Sequence, residues 1–287
     1  MTQSFEPAPS PPPQQRPSEG GLPWIRTILL ALVIAAILAA GFGVWYILFR
    51  PGGPPPIGTG APVIPGASTP GPSTGSTTTP TVTAAPTAVV EGTALPAGAL
   101  DGTWSVDPSL GSFDYDAGDF SGSWVGYRVQ EQLVGVGGAT AVGRTPDVTG
   151  SLTIDGTTIT AASLEADLTT LVSDESGRDG QLRRQGIQTD RFPTATFVLT
   201  EPIDLGSLPA DGQDVAITAS GDLTIHGVTR PVTIELHAAI HGDVIAAVGS
   251  LTFAWDDFGM EQPTAAKVVS LADDVTMETQ LFFTKEG

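Results

Sequence analysis

The sequence predicts an all-β module of about eight strands, carried behind one apolar span and a long linker. Three observations carry this prediction. From about residue 99 onward, apolar and polar residues alternate with period two in one run after another. Turn signals such as Asp155-Gly156 and Asp211-Gly212 separate the runs. Ahead of them, an uncharged apolar stretch from Thr27 to Phe49 stands between segments dominated by proline and small polar residues. Periodicity alone leaves a sandwich and a closed barrel both open.

Residues 1–23 hold seven prolines together with Ser, Gln and Gly. Such a segment cannot bury enough apolar surface to offset chain entropy, and a disordered cytoplasmic tail is expected. Residues 24–50 are expected to be a transmembrane helix. The 23 residues from Thr27 to Phe49 would make a helix roughly 34 Å long, enough to cross a hydrocarbon core of about 30 Å with some tilt. Trp24, Trp45 and Tyr46 lie near its ends, and Arg26 and Arg50 bracket it. A cleaved signal peptide is the competing reading, with Ala39-Ala40-Gly41 as its cleavage site. Against it, the apolar run continues through Phe49.

Residues 51–98 are Pro, Thr, Gly, Ser and Ala with Glu91 as the sole charge. This composition predicts a flexible or semi-extended stalk with an r.m.s. span of roughly 40 Å, a candidate for O-glycosylation. A stalk holds a folded module away from a membrane. The expected arrangement is single-pass in the cell membrane, with the module of residues 99–287 outside the cytoplasm. Arg16 and Arg26 before the span against Arg50 after it give a thin positive-inside bias in the same direction.

The net charge is −19. Three basic residues (Arg16, Arg26, Arg50) and three acidic ones (Glu6, Glu19, Glu91) cancel before residue 99, so the whole charge sits on the module. That disfavours nucleic acid and flat docking on anionic head groups. The absence of cysteine excludes disulfides, a thiolate nucleophile and thiolate metal sites.

Within the module, Val125, Tyr127 and Val129 alternate, as do Val148 to Ile154 and Ala162 to Leu168. Ala195, Phe197 and Leu199 form a further set, followed by Val215 and Ile217, Val244 to Trp255, and Val275 to Phe283. Ser173 to Asp190 breaks the pattern. Ser173 could cap a short helix with Asp174 and Glu175 in its first turn, but Gly177, Gly180 and Gly186 predict a loop or a few helical turns over one barrel end. From Leu223 to Leu236 the chain reads LTIHGVTRPVTIEL, two alternating runs broken at His226-Gly227. This predicts a hairpin or strand bend, with Pro231 at an edge or bulge.

That last stretch, preceded by Gly221-Asp222, resembles the signature of the YceI-like family, lipocalin-like proteins that bind polyisoprenoid lipids. TWSVDPSLGSF at Thr103–Phe113, SDESGRDGQLR at Ser173–Arg183 and DRFPTATFVL at Asp190–Leu199 agree with it in order and spacing. The resemblance covers residues from about 101 to 285, and with the upstream span it points to the membrane-anchored actinobacterial type. It implies an antiparallel lipocalin-like barrel, a polyisoprenoid or quinone-type lipid inside, and no further cofactor. The expected function is carriage, storage or envelope stress response. The residues expected to line a lipid are Phe113, Tyr127, Leu164, Phe192, Phe197, Leu223, Ile234 and Phe253. Small residues in strand-like runs, including Ala162, Ala166, Ala195, Ala216, Ala219, Ala238 and Ala246, leave room for one.

Arg178, Arg183 and Arg184 are the candidate head-group contacts, because guanidinium forks match phosphate geometry. The alternative is that these arginines, with Arg191, pair with Asp174, Glu175, Asp179 and Asp190. After Arg178-Asp179 this chain has Gly-Gln-Leu where many relatives show His-Leu. Catalytic signals are poor, and no enzyme is expected. His237 and His241 are four apart, which on a strand is about 13 Å. His226, beside a turn glycine, reads as a structural hydrogen-bonding residue. No nucleophile elbow is present, and Asp256-Asp257 and Asp273-Asp274 read as solvated strand ends. The expected partners are a long apolar lipid, the membrane through one span, and a second copy in a homodimer. A non-catalytic envelope or adhesion module with a solid core is the other reading of the same pattern.

Overall fold

The computed structural model describes residue 28, residues 54–58 and residues 93–287. The predicted tail, the predicted span and most of the linker lie outside the described residues. No helix among the described residues is long and apolar enough to cross a membrane.

The strands are β1 (Gly102–Val106), β2 (Trp124–Leu133), β3 (Gly137–Thr145), β4 (Val148–Asp155), β5 (Thr158–Asp167), β6 (Val172–Ser173) and β7 (Thr194–Leu199). They continue with β8 (Ile203–Asp204), β9 (Val215–Ile225), β10 (Val228–His241), β11 (Val244–Ala254), β12 (Val268–Leu271) and β13 (Asp274–Lys285). All ladders between them are antiparallel. Eight strands close a barrel in the order β1-β4-β5-β7-β9-β10-β11-β13, and β13 returns to β1 through Trp104 opposite Lys285. Of the two architectures that periodicity leaves open, the chain adopts the barrel. Closure leaves no free edge in the circuit.

β13 is long enough to pair twice. Its later residues pair with β1, while Thr276–Gln280 pair with β2, so the β2-β3 hairpin prolongs the wall beyond the point where β1 ends. The β9-β10 turn is the hairpin expected at His226-Gly227. Ile225 faces Val228, and His226 and Gly227 have φ of 55° and 72°, the two left-handed residues of a type I′ turn. Pro231 faces Asp222 on β9, whereas pairing of β10 with β11 starts only at Glu235. Its missing N–H therefore leaves no ladder bond unmade, as an edge position requires.

One short helix, α1 (Ser176–Leu182), interrupts the sheet. Its N-cap is Glu175, without a side-chain capping bond, so Ser173 is not the cap. The Ser173 hydroxyl instead donates to Asp179 at 2.6 Å and receives the Glu175 N–H at 3.2 Å.

The core is the barrel interior, with Leu, Ile, Val, Phe and Trp from every wall strand. A second, smaller core lies outside. Residues 107–123 strap the outer face of β13 and β2, where Leu110 packs on the fully buried Phe282 and Ala246. Gln280 donates to the carbonyls of Phe120 and Gly122 at 2.9 and 2.8 Å, and the Tyr115 hydroxyl donates to the Val142 carbonyl at 2.9 Å.

Candidate functional site

Inside the barrel is a cavity of about 170 Å³. Its wall includes Leu152, Leu164, Phe197, Leu199, Ile217, Leu223, Ile234, Leu236, Met277, Leu281 and Phe283, with Ala162, Ala166, Ala195, Ala219, Ala238 and Ala247 between them. Along β9 the lining runs from Val215 to Leu223, eight steps of about 3.3 Å, or roughly 26 Å of strand. Period two explains the lining: alternate residues of each strand meet at the barrel axis, and small ones leave the axis unfilled. An engineered apolar cavity of about 150 Å³ already accepts benzene and stays dry.

The wall holds no Lys, Arg or His. Glu165 runs along it but is exposed, between Leu164 and Ala166, so strand alternation sends its carboxylate outward. Ser151, Thr196 and Thr279 supply what little polarity there is.

Of the residues expected to line a lipid, Leu164, Phe197, Leu223 and Ile234 are in this wall. Phe113 is not, because it belongs to the outer strap, where its ring meets Phe120 edge-on at 5.4 Å. Phe192 leaves the set for a different reason: its ring covers the turn residue His226 at 4.2 Å. Phe253 packs against Phe258 at 4.9 Å, among the buried Trp255 and Met260 that follow β11. Those residues fill the barrel end instead of lining its cavity. Ala216 and Ala246 face outward, Ala216 opposite His237 and Ala246 against Phe282.

Tyr127 points inward but sits above the cavity, over Gly143. Its hydroxyl is buried without a hydrogen-bond partner, and burial pushes its pKa upward. Arg178, on α1, binds Glu131 at 2.9 Å and also pairs with Asp174. Burial works against the Arg178 charge, but Tyr127, Glu131 and Asp174 beside it reverse the balance and raise its pKa. This guanidinium is a structural clamp between helix and barrel wall, which is the alternative the sequence left open. Arg183 and Arg184 are exposed and form no salt bridge with the described residues. Arg191 is also exposed, with its guanidinium 4.9 Å from the Phe192 ring.

The histidines bring no catalytic arrangement together. Both ring nitrogens of His226 are buried without a partner, so it is not the hydrogen-bonding residue its position suggested. His237 meets Asp214 at 3.2 Å on the surface. No cluster of metal-ligating side chains occurs among the described residues.

Sequence reasoning missed the buried charges of the outer wall. Arg144 and Glu278, 3% and 2% exposed, lie under the strap, with Arg144 over the Trp124 ring at 3.8 Å and the Phe120 ring at 4.4 Å. Glu278 accepts from Arg128 at 3.0 Å and lies 3.6 Å from Arg144. On a strand alternating Val275, Met277, Thr279 and Leu281, Glu278 reads as solvated. Segments remote in sequence, the strap and residues 54–58, cover it.

A family model described as the YceI-like domain matches residues 104–283. Among curated proteins, a UPF0312 protein of Shewanella denitrificans is 30% identical over 159 residues, 52% of this chain and 80% of that protein. A UPF0312 protein of Shewanella sp. strain MR-4 is 31% identical over 146 residues, 48% of this chain and 73% of that protein. Among solved structures, Burkholderia cenocepacia BcnA gives a TM-score of 0.44 at 21% identity, covering 56% of this chain and 95% of that one. A polyisoprenoid binding domain from Saccharophagus degradans gives 0.45 at 19% identity, covering 57% and 94%.

Proposed function

Because the chain belongs to the YceI-like domain family, we propose that it is a binding protein that holds a polyisoprenoid or quinone-type lipid in its barrel interior. The observation that carries this is the cavity, walled by apolar side chains from around the barrel and free of basic groups. Burying each methylene of a prenyl chain would contribute about 0.8 kcal/mol, so a few isoprene units offset the cost of ordering the chain. At about 170 Å³ the cavity holds a slender group as it stands. A longer chain threads along the axis by displacing flexible side chains such as Met277.

The same wall favours an uncharged head. A phosphate buried there would find no cation, and an unpaired buried charge is costly. Arg178 is already committed to Glu131 and Asp174. Arg183 and Arg184 remain as head-group contacts only for a head that emerges beyond α1. Binding needs no catalytic residue, and the chain acts by carriage or storage, or in a stress response of the envelope. In this reading residues 24–50 anchor the protein in the membrane and the barrel works outside the cytoplasm, as in the actinobacterial type of the family.

Native mass spectrometry of Pro51–Gly287, expressed in bacteria, with organic extraction of co-purifying material, tests the reading. A stoichiometric prenyl lipid or quinone is expected. An apo mass that fails to shift with added polyprenyl lipids would overturn it in favour of a solid-core envelope module.

A further inference from the structure

Outside the barrel, the buried Arg144 and Glu278 and the half-buried Arg128 meet a piece of the linker. The Arg128 guanidinium donates to the Pro54 carbonyl at 2.7 Å, and that of Arg144 donates to the Pro55 carbonyl at 3.2 Å. In return the Ile57 N–H donates to Glu278 at 3.4 Å. We propose that this is a built docking site for an extended proline-rich segment, and that residues 54–58 of the chain's own linker are its occupant.

The chemistry of the two sides matches. Successive prolines are held extended by their rings and have no N–H, so they present only carbonyl acceptors, and they do so at low entropic cost. The two arginines supply charged donors to consecutive carbonyls, and the first N–H after the prolines meets the carboxylate. Aromatic surface flanks prolines in other proline-reading sites. Here Trp124 and Phe120 hold Arg144 in place, and Glu278 fixes both guanidinium groups. The donor geometry is therefore set before the segment arrives. Arg144 also keeps its Nε buried without a partner, so its remaining donors depend on Glu278 and the proline carbonyl.

The consequence is a change in tether length. Leu95 and Gly98 are bonded to the barrel, so the free linker would be residues 51–92, with an r.m.s. span of roughly 35 Å. With residues 54–58 clipped, three residues remain between Arg50 and the clip, a reach of at most about 14 Å. The linker is thus a stalk with two settings. Neither the site nor its occupant depends on what the barrel binds.

The chain has no cysteine, so spin labels can be placed singly. Gly58→Cys adds a side chain that meets nothing within 4 Å, and Glu201→Cys is exposed on the barrel. Pulsed electron–electron distance measurement on the doubly labelled full chain in mild detergent should give one narrow distribution. Two variants in that background should broaden and lengthen it. One replaces Pro54, Pro55 and Pro56 by Gly and Ile57 by Pro, touching no barrel residue. The other is Arg128→Gln, for which the bound-to-free ratio should fall roughly tenfold, the loss of one charge-assisted hydrogen bond. Circular dichroism of each variant verifies the barrel. A broad distribution in the parent chain, or a narrow one that survives either variant, overturns the proposal.

Discussion

His226 illustrates how one residue can be held for its backbone. Its φ of 55° is required by the two-residue turn, its ring meets that of Phe192 at 4.2 Å and a 55° tilt, and its buried nitrogens have no hydrogen-bond partner. His226→Asn keeps a residue that tolerates the left-handed region and should cost only the ring contact, about 1 kcal/mol. His226→Val adds β-branched strain of about 1–2 kcal/mol more. Thermal melts of the two variants check the order. Arg178 presents the opposite case, a side chain held for its charge. Arg178→Met leaves Glu131, 5% exposed, without its cation and should destabilise the barrel by about 3–5 kcal/mol. Adding Glu131→Leu should recover most of that loss, measured by denaturant unfolding.

At the scale of elements, the strap of residues 107–123 decides which face of β13 and β2 is wet. It is pinned by carboxylates that bind hydroxyl and N–H groups two residues on, Asp107 to Ser109 and Asp119 to Ser121. These bonds hold both carboxyls below the ordinary carboxylate range. A depressed pKa contributes stability that is present above the unfolded value, near 3.8, and is lost as pH falls through the lower folded value. The strap should therefore loosen in acid below that value. Trp124, which lies under it, is a fluorescent reporter, and the transition should move when Ser109 and Ser121 are both replaced by Ala. A second element-scale contact is Phe197 over Gly221, where an added Cβ would come within 2.4 Å of the ring. Gly221→Ala should push Phe197 into the cavity and cost about 1–3 kcal/mol by overpacking.

For the whole molecule, the barrel's stability and its proposed capacity compete for the same volume. Ala219 lies in the cavity wall opposite Ile234. Ala219→Phe fills the space a lipid needs. Under the binding reading, prenyl-lipid uptake should fall at least roughly tenfold, the equivalent of about 1.4 kcal/mol, while the melting temperature of the empty barrel is maintained. Equal lipid uptake in the variant would count against an interior site. Alkaline stability is a second global property. Burial pushes the Tyr115 phenol from its ordinary value of 10.0 up to about 12. A raised pKa contributes stability fully present below 10.0 and lost as pH rises through about 12. Phenolate absorbance and circular dichroism should therefore change together in that window.

The sequence by itself determined the all-β module, a chain reversal or bend at His226-Gly227, an edge or bulge position for Pro231 and four of the cavity residues, Leu164, Phe197, Leu223 and Ile234, while the turn type and the edge were decided by the fold. These follow from local rules: period two decides which residues share a face, and turn chemistry decides where strands reverse. Barrel closure came from the motif resemblance, since alternation is the same in a sandwich. Tertiary structure alone decided the rest. Phe113, Phe192 and Phe253 are as apolar as the true lining, but where an apolar side chain is buried depends on which element covers it. Glu278 and Arg144 alternate as solvated residues do, and the strap of residues 107–123 together with residues 54–58 covers them. Three prolines of the linker look like any spacer until the fold brings Arg128, Arg144 and Glu278, more than seventy positions away, to their carbonyls. Period and turn are properties of neighbours in the chain, whereas burial and pairing across long separations are properties of the folded surface.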